Sequence, residues 1–382
     1  MSERKLQAWQ AAGLIDEATA ARIRAWEGDH SRPLALWAVI GIGALAIGLG
    51  VISVVAANWE EVPGMVRLAV HLAVLLALGG ALAWRGEQLE RDHPWGLEAA
   101  LFVFAMLGMA FFGHIGQVYQ TSSPLWQPLA AWLALFAPLL LLRGQSWLTA
   151  ALLFAVTVFI AWNYVDVIEL RLFVDRGPDN PGTVWTALVT AAPPLLAPLA
   201  AWMRGRSTRE AFWKRLEQLG LAYAVGGASL LALAAGFDKF EGGSMGLAAQ
   251  AVRGGLALAA AGAIAWARRG RSGEATAAVK AGAGLTCLIA FVFSGSQLGG
   301  GVLFMALWSG IAAAALHAGW RGVFQLAVAA VALRLIALSF ELATDLLTSG
   351  TGLIIAGLLV LGIAFVAVRI SRTFAPPKEV TP

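Results

Sequence analysis

From residue 34 onward the chain is a succession of long apolar runs separated by short polar connectors. A bilayer core takes about 20 apolar residues per helix, so these runs predict about twelve transmembrane helices. The first six are expected near residues 34–57, 66–84, 97–113, 125–142, 147–162 and 183–203. The second six are expected near 218–236, 245–267, 275–294, 302–317, 323–341 and 350–369. The predicted fold class is all-α: a polytopic integral membrane helical bundle over 34–370, with possible halves 34–203 and 212–370. That division follows the longest basic loop, 204–215, and resembles the two-part build of many transporters only in position.

Residues 1–33 break the apolar pattern. Gly13 separates a stretch carrying Leu6 and Trp9 from a second helix that Asp16 can cap, since an N-cap carboxylate accepts from orphan backbone N–H groups. Leu14, Ile15, Ile23 and Trp26 give this segment an apolar face, and about 30 residues are too few for an independent core. The expectation is a cytosolic helical hairpin that packs on the membrane, on the rest of the chain or on a partner. Residues 371–382 read as a cytosolic tail. The run at 34–57 exceeds the roughly 7–15-residue core of a signal peptide and is expected to remain as a span.

Composition supports a lipid setting. The chain is 59% hydrophobic and 13% charged, against about 25% charged for soluble domains. The net charge of +4 does not point to nucleic acid, because the basic residues sit in short connectors and form no continuous face. About 20 of the 27 Lys and Arg fall in every second connector, which the positive-inside rule assigns to the cytoplasm. Both termini are therefore expected in the cytoplasm. Trp59, Trp84, Trp126, Trp147, Trp162 and Trp202 fall near predicted helix ends, the headgroup level that indole rings favour. The 43 glycines supply faces for close helix packing.

Motif chemistry is sparse. No phosphate-binding loop, zinc-protease helix, nucleophile elbow or dinucleotide fingerprint occurs, so no catalytic residue and no cofactor is assigned. The five histidines have no ligand spacing and Cys287 stands alone, so no metal site is assigned either. Candidate ligand-binding residues gather on the outer side. One group is Asn58, Trp59 and Glu60 after the first span; the other is His114, Gln117, Tyr119 and Gln120 after the third. The second segment is uncharged and amide-rich, and at membrane depth it must find hydrogen-bond partners or line a wet cavity. Both segments also fit ordinary polar connectors, as does the charged stretch 163–182.

Ionisable residues within spans are functional candidates by default. Arg334 is the deepest, with Glu341 two turns along the same face, or Glu60, as its expected partner. His71 is a possible proton relay or helix-packing group. Arg253 is expected to pair with Asp238 or Glu241, and Lys280 to snorkel to the cytoplasmic interface.

The residues also carry a resemblance. Trp9, Gly13, Leu14, Ile15 and Ile23 precede a glycine-rich first span that ends Ala56-Ala57-Asn58-Trp59, followed by Pro63 and Arg67. Then come Gly116-Gln117-Val118-Tyr119-Gln120, Leu129, Trp132 and Pro138. Over about the first 160 residues this pattern resembles the bacterial membrane-protein family named domain of unknown function 2157. The resemblance implies an inner-membrane protein and brings no activity.

Three functions remain. The leading one is a transporter-like or flippase-like protein that binds a small or amphiphilic, polar or anionic ligand, with Arg334 on the anion. The second is a non-catalytic scaffold, joining a protein partner or its own copies through residues 1–33 or glycine-rich faces. The third is a membrane-embedded transferase acting on a lipid-linked substrate.

Overall fold

A computed structural model of the chain describes residues 6, 9–30, 46, 62–172, 181–235, 246–293, 295–342 and 350–374. Residues 1–70 and 71–382 form two compact units. In the first, a helical turn at 9–11 ends at Gly13, whose φ of +68° suits a residue without a Cβ. Helix α1 (Glu17–His30) follows. The Asp16 side chain accepts from the Thr19 amide at 2.8 Å, and hydrogen bonds from Thr19 hold its carboxyl below the usual carboxylate range. The predicted span at 34–57 and the candidates Asn58, Trp59 and Glu60 lie outside the described residues.

The remaining elements are α2 (Gly64–Asp92), α3 (Pro94–Tyr119), α4 (Trp126–Arg143), α5 (Trp147–Leu172), α6 (Pro181–Thr190) and α7 (Leu196–Arg204). They continue with α8 (Glu210–Ala234), α9 (Leu247–Ala267), α10 (Arg271–Ala290), α11 (Gln297–Ala318), α12 (Arg321–Leu342) and α13 (Gly350–Phe374). Among the described residues nine helices are long and apolar enough to cross a membrane, or ten if α6 and α7 count as one bent span. The polytopic helical bundle stands, while the described spans fall short of the twelve expected. One shortfall is the undescribed first run. Another is α10, whose Glu274, Lys280 and many Ala and Gly residues lower its hydropathy. It packs among α8, α9 and α11, which bury most of its residues, and of its large apolar side chains Leu285 and Ile289 are exposed.

Three predicted boundaries move. Helix α3 runs through His114 to Tyr119, where a connector was expected. Helix α5 continues through Asn163 and Asp166 to Leu172, shortening the expected outer loop. The extra turns find tertiary support: the Asn163 side chain accepts from the Trp126 amide at 2.9 Å, satisfying a free N–H where α4 begins. Third, the single span expected at 183–203 is two helices bent by 43° around a short 3₁₀ turn at Pro193–Leu195.

Two styles of packing fill the second unit. Helices α2 to α5 and the start of α8 enclose large side chains, among them Leu101, Trp132, Phe136 and Phe212. Trp132 is fully buried, stacks on Phe136 with ring centroids 5.7 Å apart, and donates to the Ala105 carbonyl at 2.9 Å. Around α10 most of the buried residues are small, Ala228, Ala275, Ala283, Cys287, Ala314 and Ala327, set beside Val279, Leu307 and Ile311. There Gly254 of α9 faces Gly284 of α10 so closely that a Cβ built on either falls about 3 Å from the other's carbonyl oxygen. Close backbone approach of this kind replaces the hydrophobic drive that lipid removes.

One end of the second unit collects the arginines, and here called the basic end it is cross-tied by two buried carboxylates. Glu98 of α3 accepts from the Ser146 amide at 2.8 Å and from the Ser146 and Thr149 hydroxyls at 2.5 Å, capping the start of α5. Glu217 of α8 bridges Arg204 at 2.8 Å and Arg268 at 2.5 Å, joining α7, α8 and the end of α9. Arg209 adds a bond to the Gly144 carbonyl at 2.8 Å. These ties fix the helices that surround the cavity described next.

Candidate functional site

The double proline in the bent span is where the site begins. Proline has no N–H and its ring clashes with the carbonyl four residues back, so Pro193-Pro194 stops α6. The Thr190 carbonyl, four residues before Pro194, cannot receive its helical hydrogen bond. Tyr223 of α8 takes that place, its hydroxyl donating to Thr190 O at 3.1 Å. The same hydroxyl accepts from the indole N–H of Trp162 in α5 at 2.9 Å. On the other side of the break, Lys280 of α10 donates to the Pro194 carbonyl at 3.3 Å. Irregular backbone at membrane depth thus finds its partners on two neighbouring helices, α8 and α10, with Trp162 of α5 holding the Tyr223 hydroxyl in place.

Beside this break lies a cavity of about 590 Å³, bounded by α5, the α6–α7 break, α8, α9 and α10. Its size falls in the range of small-molecule sites, roughly 300–1,000 Å³. Along α8 the wall is a helical stripe of Tyr223, Gly226, Gly227, Leu230, Leu231 and Ala234, at the spacing of one face. A Cβ added at Gly226 or Gly227 would meet nothing within 4 Å, so these glycines leave open space and do not seat a neighbour.

The polar groups are not spread evenly. At 1.5 Å per residue from the basic end of each helix, Lys280 lies at about 14 Å, Tyr223 at about 20 Å and Arg253 at about 21 Å. By the same measure Leu230 lies at about 30 Å and Ala234 at about 36 Å. The floor is therefore polar and cationic, and the upper chamber apolar. Arg253 and Lys280 both line the cavity, and no carboxylate does among the described residues. Lys280 is 1% exposed and carries three donors, of which the Pro194 carbonyl takes one. Such a charge is costly in a low-dielectric site unless an acceptor or a counter-charge reaches it.

The candidates named from sequence divide. Arg253 lines this cavity. Lys280 does too, and it corrects the snorkelling expectation: its side chain turns inward to Pro194 and stays buried. Arg334 and Glu341 form a two-pronged ion pair along α12, at 2.6 and 2.9 Å, with Arg334 buried beside Gly301 of α11. His71 and His114 come together, Nδ1 to Nδ1 at 3.4 Å, and His71 Nε2 contacts the Leu107 carbonyl at 3.1 Å. A carbonyl only accepts, so His71 Nε2 donates there; in the neutral pair its Nδ1 then accepts from His114. Gln117, Tyr119 and Gln120 are exposed at the end of α3. Gln120 takes the left-handed conformation, φ 53°, and its amide returns to the Gln117 carbonyl at 3.0 Å. Gln120 closes the helix end as its C-cap, and none of the three lines the cavity.

Residues 7–149 match the family described as "Predicted membrane protein (DUF2157)". The resemblance read from the first 160 residues is thereby established over most of its length. That match covers α1 to α4 and the first three residues of α5, and it stops before every cavity-lining residue, the first of which is Trp162. Comparison with curated proteins and with solved structures returns no match. The chain is a multi-pass helical membrane protein whose N-terminal part is similar to that family.

The sequence reading passes over Tyr223, Thr190 and Pro194. One signal was available: two adjacent prolines inside an apolar run predict an interrupted span, and freed carbonyls at such a break attract donors.

Proposed function

We propose that this protein is a transporter-like or flippase-like carrier whose cavity at the α6–α7 break binds an anionic ligand. The observation that carries the reading is the buried Lys280, held by one carbonyl of a broken helix on the floor of a ligand-sized cavity. Discontinuous helices beside midplane sites are how many secondary transporters build their substrate pockets. A bent element also offers a place for the wall to move while the basic end stays tied through Glu217. Arg334, the original candidate for the anion, already has a carboxylate at both prongs and suits a structural role. The positive-inside rule would place the arginine-rich end in the cytoplasm of a bacterial inner membrane and open the upper chamber towards the outer leaflet.

Vesicles containing the purified protein test this directly. An anionic reporter lipid should exchange between leaflets, or a water-soluble anionic dye should cross, faster than in empty vesicles. Gly227→Leu, which fills the chamber, should abolish the gain. Identical rates for wild type, variant and empty vesicles would overturn the proposal.

A further inference from the structure

We infer that the ligand is an amphiphilic anion drawn from the bilayer, bound with its charged head on the Lys280 floor and its chain in the apolar chamber along α8. This rests on the cavity being an anion site and adds which anion, in what orientation and by what route.

Three observations carry it. The first is the segregation of the walls: Lys280, Tyr223, Thr190 and Arg253 gather at the level of the break, and Leu230, Leu231 and Ala234 lie above them. A small hydrophilic anion would satisfy the floor but lose its hydration over the rest of the chamber, whereas an attached apolar chain uses that space. The second is the open space over Gly226 and Gly227 on the face between floor and chamber. A chain can pass there, and any side chain in their place would stand in its way. The third is the rim. Two lining residues are also strongly exposed, Trp162 at 53% and Leu230 at 67%, from α5 and α8. Both lie about 22 to 30 Å from the basic end, within the apolar stretch of their helices. An apolar rim at that depth meets hydrocarbon and not water. Entry is therefore lateral, from the lipid phase, which selects ligands that already partition there.

On binding, the head would take up Lys280 donors that the Pro194 carbonyl leaves free, without disturbing the Tyr223–Thr190 bond that holds the break. The chain would lie along the α8 stripe towards Ala234. No covalent step is involved.

The test uses full-length protein in a neutral maltoside detergent, with ligand occupancy read by native mass spectrometry. Three probes separate the contributions: dodecyl phosphate, inorganic phosphate and dodecyltrimethylammonium. Dodecyl phosphate should bind wild type at least about tenfold more tightly than either of the others, a gap that would need both head and chain. Lys280→Met should weaken dodecyl phosphate by about tenfold or more, and so should Gly227→Leu. Arg206→Met, which removes an exposed cation outside the cavity lining, should leave it unchanged and serves as the control for folding and for general anion attraction. If inorganic phosphate binds as well as dodecyl phosphate and ignores Gly227→Leu, the anion site stands and the amphiphile inference falls. If no anion binds wild type, or if Lys280→Met leaves binding intact, the anion site itself falls and the inference with it.

Discussion

Helices α2 to α5 and helices α8 to α11 solve the same problem differently. Both must hold together in a solvent as apolar as their own side chains. The first group fills its interior with interlocking rings and leucines, Trp132 against Phe136 and Phe104 against Phe136 at 4.9 Å. The second brings backbones together through Ala and Gly and leaves a void beside the closest contact. Dense packing by large residues leaves no room for a guest. Close approach by small residues fixes helix positions while leaving space wherever the helices diverge. The family match ends within the first turn of α5, while the cavity lies mainly among α8, α9, α10 and the α6–α7 break, with Trp162 its one lining residue from the first group. The similar portion therefore reads as a framework, and the ligand chemistry as a property of the rest of the chain.

The contrast can be broken from either side. The largest effect is expected from Trp132→Ala, which removes a fully buried ring together with its bond to the Ala105 carbonyl. It should cost about 3–5 kcal/mol, read as a large fall in the thermal midpoint in detergent. A small change there would mean that the first core is looser than its burial implies.

Next comes Gly254→Leu. Its Cβ would fall 2.4 Å from Leu288 and 2.9 Å from the Gly284 carbonyl, so α9 and α10 must separate, at a cost of about 1–3 kcal/mol. Unchanged thermal unfolding would show that the glycine contact does not hold these helices.

Lys280→Met sharpens the comparison by separating stability from binding. A buried cation with one neutral acceptor is replaced by an apolar chain of similar length. The thermal midpoint should hold or rise by the equivalent of about 1 kcal/mol, while anion binding is lost. A marked fall in stability would make Lys280 a structural tie to the broken helix.

The smallest effect on stability belongs to Gly227→Leu. It sits in the same small-residue region as Gly254 but faces open space, so its stability change should stay within about 0.5 kcal/mol. A large loss would mean that the chamber closes in solution.

Much of the bundle was legible because apolar run length is dictated by bilayer thickness. Among the described residues each expected run from the second onward falls largely on helix, including α10 and, as two bent helices, the run at 183–203, and the seven-residue spacing of Arg334 and Glu341 announced an intrahelical pair. The site was less legible for reasons that are equally physical. Distance along a helix placed Lys280 within reach of the interface, but its rotation about the helix axis decided between solvent and interior, and near-uniform apolarity hides rotation. Glu98 and Glu217 stand at the edges of predicted spans, and nothing local reveals that each will meet donors from other helices. Gln117 and Gln120 drew attention as amides at membrane depth, yet the Gln120 side chain turns back to the Gln117 backbone carbonyl at the end of its own helix.

The chain has a single cysteine, and it stands in the wall of the cavity. Cys287 therefore gives the native sequence one chemically distinct handle at the place of interest, with no competing thiols to remove. A small fluorinated tag on that sulfur would let nuclear magnetic resonance watch the chamber fill and empty in the unaltered backbone.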